Sequence, residues 1–304
     1  MPAIVVENLV KDYGTLRAVN GLSFTVEQGE VVALLGPNGA GKSTAVEILE
    51  GHRTRTSGQV TVLGTDPATG GAGFRDRIGI VLQECGIERE LTITETLNHY
   101  AACYTRNRPL DEVLELTGLT DLADRRTHQL SGGQKRRIDL ALGLIGDPDL
   151  LFLDEPTTGF DPSARRQAWD MVSGLRTLGT TILLTSHYMD EVEALADRVL
   201  VINQGQLVAQ GTPDQLRAGI ADTTLVRFDQ PANGGTVQEL FGDLTGTVTA
   251  ANNRIEIRTT SPTGDLHRLT DWALKHDQEL GHLEVTRPTL EDVYLNLIGG
   301  DENE

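Results

Sequence analysis

Cysteine and long apolar runs are both scarce in this sequence of 304 residues. Two thiols, Cys85 and Cys103, are too few for a disulfide framework, so a reducing compartment such as the cytosol fits best. The start of the chain lacks the basic and apolar pattern of a signal peptide. No uninterrupted apolar run approaches the roughly 18–20 residues that span a bilayer. We therefore expect a cytoplasmic chain that does not itself cross a membrane.

Positive charge is also in short supply, with 26 Lys and Arg residues against 44 Asp and Glu residues and a formal net charge of −18. This balance argues against a nucleic-acid surface and against electrostatic adhesion to an anionic membrane. Any membrane contact would then require a specific protein partner. The 38% hydrophobic content supports a real core, and the length suits one large or two ordinary domains.

The first two thirds of the sequence read as an α/β unit. Early strands separated by turns are predicted at Ile4–Val10, Leu22–Val26 and Val31–Gly36, with another from Gly58. Helical spacing follows in residues 91–146. The apolar runs Asp149–Glu155 and Thr180–His187 enclose a helical pattern, as buried parallel strands do. A hairpin in Val199–Gly211 completes the unit, so we predict a first domain at 1–219 with a mixed, mainly parallel sheet.

Residues 222–304 alternate short strands and helices and contain no further motif. Strands are predicted at Thr224–Phe228, Thr247–Ala250, Arg254–Arg258 and His282–Val285, and helices near Val237–Phe241, at Asp265–Asp277 and in Thr289–Ile298. The order β-α-β-β-α-β is ferredoxin-like and is followed by a terminal helix. We therefore predict a small α+β accessory or regulatory domain at 222–304.

The segment GPNGAGKST has the pattern of a phosphate-binding loop. It follows an apolar strand and precedes a pattern that can open a helix, which are the two contexts such a loop requires. Lys42 would neutralise charge on the β and γ phosphate oxygens, and the Ser43 hydroxyl would bind Mg²⁺. The alternative is a chance glycine turn. The predicted nucleotide-binding residues of this loop are Gly36, Pro37, Asn38, Gly39, Ala40, Gly41, Lys42, Ser43 and Thr44.

Two adjacent carboxylates end the apolar strand LLFLDE. Asp154 could hold Mg²⁺ through its water shell, and Glu155, at the carboxyl end of the strand, could orient and polarise an attacking water as general base. The alternative is a solvated charge at the end of a strand. Beside a phosphate-binding loop, the functional interpretation is favoured.

The turn LSGGQ is a second segment suited to an anion. Ser131 and Gln134 have the spacing of a capping box, so Ser131 would begin a helix while Gly132 and Gly133 expose backbone N–H groups. The positive end of that helix would face outward. The alternative is an isolated flexible turn. The chain therefore holds two anion-binding segments far apart in sequence.

The segments GPNGAGKST, LSGGQ and LLFLDEP, followed by TTGFDP and TSH in that order, resemble the ATP-binding cassette (ABC) ATPases. The resemblance covers roughly Met1–Gly219 and implies a P-loop cassette with an antiparallel β subdomain and a helical subdomain at about 91–146. It also implies an ATPase that uses Mg²⁺. In that family ATP is held between the P-loop of one subunit and the LSGGQ turn of another, in a head-to-tail homodimer. Two segments in one chain are then expected, because each serves a different ATP.

Further family positions carry over residue by residue. Tyr13 matches the aromatic residue that stacks on adenine, and Gln83 matches the glutamine that contacts Mg²⁺ or the attacking water. Asp161 matches the loop at the dimer seam, although Phe160 stands where leucine is usual. His187 matches the switch histidine that contacts the γ-phosphate. The implied catalytic set is thus Glu155 with His187 and Gln83.

The single cassette and the C-terminal extension containing RPTLEDVYLNL resemble the ATPase subunits of bacterial daunorubicin-resistance type drug exporters. This resemblance covers nearly the whole chain. It implies a homodimer docked on a separate permease at the cytoplasmic side of the membrane, exporting a drug, antibiotic or lipid-like molecule.

Two other classes stay open at this point. A soluble ABC ATPase acting on ribosomes or DNA would share the motifs, but such proteins usually carry paired cassettes or long coiled-coil insertions, and the net charge disfavours nucleic acid. A P-loop kinase would account for Lys42 and Ser43 but gives no reason for LSGGQ.

Overall fold

The computed structural model describes residues 2–81, 86, 88–158, 160, 162–218, 223–230, 244–251, 253–287 and 289–299. The chain divides into two compact units, Met1–Pro213 and Asp214–Glu304. This division falls slightly before residue 219, the predicted end of the first domain. The roles assigned to the two domains stay predictions.

The strands described in the first unit form two sheets. Its strands are β1 Pro2–Tyr13, β2 Leu16–Glu27, β3 Val31–Leu35, β4 Ser57–Val62, β5 Ile78–Val81, β6 Leu150–Asp154, β7 Thr181–Ser186, β8 Arg198–Asn203 and β9 Gln206–Gly211. Strands β2-β1-β4 make an antiparallel sheet, and β5-β6-β7-β3-β8-β9 make a second sheet. The second sheet is parallel except for the β8–β9 hairpin. The prediction of a mixed sheet is thus confirmed.

Helices of the first unit lie between these strands. They are α1 Lys42–Leu49, α2 Gly71–Arg75, α3 Ile93–Ala101, α4 Leu110–Leu116, α5 Gly132–Leu144, α6 Pro162–Thr177 and α7 Met189–Leu195, with α8 Pro213–Ala218 at the junction of the units. Helices α3 to α5 share a separate apolar cluster that includes Ile93, Leu97, Val113, Leu119 and Ile138. No helix in the described part of the chain has the length and apolar character that crossing a bilayer requires.

The parallel strands bring the predicted motifs to one edge of the sheet. Strands β3 and β7 are buried along their whole length, as continuous apolar runs between helical layers must be. Because β3, β6 and β7 run parallel, their carboxyl ends meet at the same edge. The phosphate-binding loop follows β3, Asp154 ends β6 and His187 follows β7, so this edge holds the candidate site.

The described residues of the second unit form one antiparallel sheet. Its elements are β10 Thr224–Asp229, β11 Thr247–Ala251, β12 Arg254–Thr259, α9 Pro262–Lys275, β13 Glu284–Thr286 and α10 Leu290–Gly299. The strand order is β11-β12-β10-β13, which agrees with a ferredoxin-like arrangement. Its core includes Val226, Phe228, Ile255, Ile257 and Leu269. The helix predicted near Val237–Phe241 lies outside the described residues.

Candidate functional site

The phosphate-binding loop takes a shape that only glycine permits at key positions. Gly39 and Gly41 have φ values of 81° and 97°, in the left-handed region. A Cβ on Gly36 would lie 2.4 Å from the Ile202 carbonyl oxygen, and one on Gly41 would lie 2.3 Å from that of Ala18. The loop is therefore a tight cradle. Helix α1 begins at Lys42, directly after Gly41, so its first backbone N–H groups are available to an anion.

Lys42 places its ammonium group inside this cradle. The side chain is buried, and Nζ donates to the carbonyl oxygens of Gly36 at 2.7 Å and Pro37 at 3.1 Å. Burial lowers the pKa of Lys42, and the nearby charges of Glu155 and Asp154 partly oppose this shift. The Lys42 ammonium group thus lies on the inner side of the loop, where an anion would bind.

Asp154 and Glu155 are anchored by Thr185 of the neighbouring strand β7. The Thr185 hydroxyl donates to Asp154 Oδ1 at 2.5 Å, and the Glu155 N–H lies 3.0 Å from the Thr185 Oγ1. Glu155 has a φ of 45°, which is a strained left-handed conformation for a residue with a side chain. Its Oε2 accepts a hydrogen bond from the Thr158 hydroxyl at 3.1 Å. The backbone after β6 is therefore held in an unusual but well-supported turn.

His187 lies beside the Glu155 carboxylate. Its Nδ1 is 3.3 Å from Glu155 Oε1, and its ring centroid is 4.0 Å from that of Tyr188. The structure thus brings together two of the three residues that the resemblance implies for catalysis. The third, Gln83, lies outside the described residues, as does Asp161, and their roles stay predictions.

A cavity of about 300 Å³ brings Tyr13 together with most of the phosphate-binding loop and with Asp154 and Glu155. Its lining comprises Tyr13, Leu16, Ala18, Asn38, Gly39, Gly41, Lys42, Ser43, Thr44, Asp154 and Glu155. Gly36, Pro37 and Ala40 belong to the same loop without lining the cavity. The lining combines a cation, backbone N–H groups, oxygen ligands and an aromatic ring, a set that suits a polyphosphate nucleotide with its metal ion.

Tyr13 stands at the end of strand β1, on the rim of this cavity. The ring is 38% exposed, so one part of it is open to a ligand. Lys11 Nζ lies 5.0 Å and the Arg53 guanidinium carbon 5.3 Å from the ring centroid. Both cations hold the ring by cation–π attraction, which fixes the position of a surface that adenine would stack on.

The LSGGQ turn forms the predicted capping box. Ser131 is the N-cap of α5, Gln134 N donates to its Oγ at 3.3 Å, and Ser131 N donates to Gln134 Oε1 at 2.9 Å. Ser131 and Gly132 are exposed. Among the described residues, none of Ser131, Gly132, Gly133 and Gln134 lines the nucleotide cavity. The exposed start of α5 therefore lies outside the nucleotide cavity of its own chain.

Glu50 is a charged residue near the site that the sequence analysis did not find. It follows α1 and is almost completely buried. Burial raises the pKa of the Glu50 carboxyl to about 8, with smaller contributions from the charges of Asp154 and Glu47. Its Oε2 lies 3.3 Å from His52 Nδ1. This shift favours the protonated form of Glu50 near neutral pH, at the end of α1.

Replacing Glu50 by glutamine is expected to change how stability depends on pH. The folded pKa of about 8 exceeds the ordinary value of 4.5, so between these values only the folded state binds the proton. The free energy of unfolding should therefore fall as pH rises from about 4.5 to 8, by up to about 1.4 kcal/mol per unit. Glu50→Gln should remove this slope and be the more stable form at pH 8.5. Urea unfolding at several pH values measures the free energy of unfolding and its pH slope, and Glu7→Gln, at an exposed position, is the control. Equal slopes in all three proteins would contradict the assignment.

Comparisons with known proteins agree with this geometry. Residues 19–158 match the model of the ABC transporter family, and residues 225–289 match that of an ABC transporter domain-containing protein-like, C-terminal domain. The daunorubicin resistance ATP-binding protein DrrA3 of Streptomyces coeruleorubidus is 37% identical over 98% of this chain and 96% of its own length. The linearmycin resistance ATP-binding protein LnrL of Bacillus subtilis (strain 168) is 36% identical over 96% of this chain and 97% of its own length.

Solved structures with the same fold cover about 71% of this chain. The cbiO1 protein from Clostridium perfringens, part of the ABC transporter complex cbiONQ, has a TM-score of 0.65 at 32% identity and covers 71% of this chain and 91% of its own. An ATP-binding subunit of an ABC transporter has the same TM-score at 27% identity, over 71% of this chain and 92% of its own. Because the similarity to the curated relatives spans nearly the whole chain, this chain belongs to the ABC transporter family, as a subunit that binds ATP and hydrolyses it to drive transport.

Proposed function

We propose that this chain powers the export of a drug, antibiotic or lipid-like molecule through a separate membrane permease. The observation that carries the proposal is the extent of the similarity. Relatives named as daunorubicin and linearmycin resistance ATP-binding proteins match both units, including the second, which lies outside the cassette. A Nod factor export ATP-binding protein of Rhizobium meliloti (strain 1021) is also 39% identical over 98% of this chain and 88% of its own length. These names favour an exporter over a ribosome- or DNA-associated ATPase.

A magnesium ion fits the donors of the cavity. The Ser43 hydroxyl and the Asp154 carboxylate both line it, and Mg²⁺ prefers such oxygen ligands. Gln83 would complete the set contributed by this chain. When bound, the ion neutralises charge on the phosphate oxygens of ATP.

The residues around the cavity have distinct roles in this proposal. The loop N–H groups and Lys42 bind the phosphates, and Tyr13 stacks on adenine. The Glu155 carboxylate accepts a hydrogen bond from the attacking water and takes its proton as the water oxygen bonds to the γ-phosphorus. The bond from the γ-phosphorus to the β–γ bridging oxygen breaks in the same displacement, and ADP leaves with that oxygen. His187, which lies 3.3 Å from Glu155, contacts the γ-phosphate and fixes the carboxylate. The strained Glu155 backbone fits this role, because such strain concentrates at functional positions.

A second copy of the chain would complete each site. Ser131 and Gly132 at the start of α5 are exposed and do not line their own cavity, so this helix N-terminus is available to the ATP of a partner. Two-fold symmetry would build two such sites in a head-to-tail dimer, with Asp161 at the seam. Loss of the γ-phosphate removes the charge-assisted contacts and weakens the closed dimer. The dimer would act on the permease at the cytoplasmic face of the membrane.

Purification of tagged Glu155→Gln from gently solubilised host membranes with Mg-ATP tests the proposed partner. A multi-span membrane protein at near-equal amounts, identified by mass spectrometry, is the expected result. A parallel preparation of Lys42→Ala should yield less of it if the closed state strengthens docking. Ribosomal or DNA-processing proteins without a membrane protein would overturn the exporter assignment.

Replacing Tyr13 by alanine is expected to weaken ATP binding by about 5- to 100-fold, because stacking of a base on an aromatic ring is worth about 1–3 kcal/mol. Tyr13→Phe keeps the ring and should bind ATP normally. Calorimetric titration with Mg-ATP measures the loss, and titration with magnesium triphosphate provides the control, since that ligand has no base. A similar loss for both ligands would show that Tyr13 supports the loop rather than adenine.

A further inference from the structure

Helix α5 carries a buried arginine that reaches the backbone beside the candidate base. The Arg136 side chain is about 10% exposed, and it lies two residues beyond the LSGGQ turn. Its Nε donates to the Pro156 carbonyl oxygen at 3.1 Å. Its Nη2 lies 3.2 Å from the Asp154 carbonyl oxygen and 3.3 Å from that of Glu155. One guanidinium group therefore binds three consecutive carbonyl groups.

These three carbonyl groups surround the strained position. A left-handed backbone at a residue with a side chain persists only where its surroundings over-determine it, at a cost of about 1–3 kcal/mol. Thr185 binds the N–H side of Glu155, and Arg136 binds the carbonyl side. The planar, always charged fork of arginine suits several acceptors at once, whereas the ammonium of lysine is a compact point charge.

The position of Arg136 connects two different ATP sites. In the proposed dimer, Ser131 and its neighbours at the start of α5 would face a partner's ATP. Arg136 contacts the segment that carries Glu155, beside the cavity of its own chain. A helix is stiff, and Ser131 and Arg136 are only about 7 Å apart along its axis at 1.5 Å per residue. A small movement of the turn would therefore move the guanidinium group.

We propose that Arg136 is a positioning residue that couples the LSGGQ turn in one ATP site to the Glu155 carboxylate in the other. This inference rests on the proposed head-to-tail dimer. Engagement of the turn by a partner's ATP sets the orientation of α5, and Arg136 transmits that orientation to the Asp154–Pro156 backbone. Hydrolysis at the two sites is then cooperative, and Arg136 affects the chemical step rather than ATP binding.

Arg137 offers a matched control on the same helix. Its Nη1 donates to the Gly118 carbonyl oxygen at 3.2 Å, and its Nη2 donates to Gln167. These partners belong to the segment after α4 and to helix α6, away from Asp154 and Glu155. If the loss of any arginine from α5 lowered ATP hydrolysis, substitutions at Arg136 and Arg137 would lower it alike. A positioning role predicts that only substitutions at Arg136 lower it.

Steady-state hydrolysis of Mg-ATP by Arg136→Met, Arg136→Lys and Arg137→Met tests the inference. Loss of alignment at a reacting group can cost about 100-fold in rate. We expect kcat to fall about 10- to 100-fold in both Arg136 variants, KM to change by less than about 2-fold, and the Hill coefficient to fall towards 1. Arg137→Met should keep the wild-type kcat and Hill coefficient. Arg136→Lys keeps the charge, so it answers the question even if the methionine variant does not fold.

Two outcomes would overturn the coupling by Arg136 while leaving the proposed dimer intact. One is wild-type kcat and cooperativity in the soluble Arg136 variants, and the other is a loss of ATP affinity as large as the loss of kcat, which would indicate a structural role. ATP-dependent dimerisation of Glu155→Gln, measured beside the turnover of the Arg136 variants, separates failure of the coupling from failure of the dimer. If Glu155→Gln itself forms no ATP-dependent dimer, the proposed dimer fails and the coupling fails with it. If it dimerises and the Arg136 variants turn over normally, only the coupling fails.

Discussion

Replacing Glu155 by glutamine is expected to lower kcat by about 100- to 10,000-fold while Mg-ATP still binds, since general-base catalysis contributes a factor of this size. The amide keeps the size of the side chain and its acceptor for the Thr158 hydroxyl, but it cannot take a proton from water. Binding survives because Lys42 and the loop are untouched. ATP should therefore accumulate in a closed dimer, which size-exclusion chromatography with and without Mg-ATP measures.

Glu115→Gln is the matched control for this experiment. Glu115 is exposed on α4, in the helical part of the first unit and outside the lining of the nucleotide cavity. The same chemical change there should leave kcat within about 2-fold of wild type, as surface substitutions usually do. Near-normal turnover of Glu155→Gln would exclude Glu155 as the base. His187 would then be the next group to test, because it lies beside the same carboxylate.

Much of the candidate site could be predicted because its chemistry is local in sequence. The glycines, Lys42 and Ser43 stand in one short segment after a buried strand, and the strand itself fixes where that segment lies. Asp154 ends another strand of the same parallel sheet. A parallel sheet aligns the carboxyl ends of its strands, so sequence order alone brings these groups to one edge.

Residues that act across the sheet were not predictable in the same way. Thr185 looks like one polar position in an apolar strand, and only the pairing of β6 with β7 places it opposite Asp154. Glu50 reads as an ordinary acid at the end of a helix, and its burial depends on the surrounding packing. Arg136 belongs to a run of basic residues, yet its partners are the carbonyl groups of Asp154 and its two successors.

Element ends also differ from the predictions for physical reasons. Strand β1 extends to Tyr13 although Lys11 and Asp12 interrupt the apolar pattern, because register shifts let the β1–β2 hairpin continue to its turn. That extension is what carries Tyr13 to the rim of the cavity. Helix α9 begins at Pro262 rather than Asp265, since proline is favoured in the first turn, where its missing N–H has no helical partner.

Replacing Lys42 by alanine is expected to raise the Kd for Mg-ATP by about 10- to 100-fold, because hydrogen bonds to a charged group contribute about 1.5–3 kcal/mol. The ammonium lies inside the cradle and has no substitute there, since the other charged residues of the cavity lining are Asp154 and Glu155. Their negative charges would then repel the phosphates. Titration with a fluorescent ATP analogue measures the Kd, and the exposed Lys275→Ala, which loses a surface ion pair with Asp271, is the control.

Lys42→Arg separates charge from shape in the same measurement. Lys42 is only 7% exposed, and its Nζ is held at 2.7 Å from the Gly36 carbonyl oxygen. The bulkier guanidinium group cannot occupy that space without moving the loop. The loop has little room to move, because a Cβ on Gly36 or Gly41 would already lie within 2.4 Å of a neighbouring carbonyl oxygen. Arginine should therefore bind ATP nearly as poorly as alanine despite its charge. Tight binding of ATP by Lys42→Ala would refute the phosphate-binding role of Lys42. Tight binding by Lys42→Arg but not by Lys42→Ala would mean that charge, and not the fit of the cradle, determines affinity.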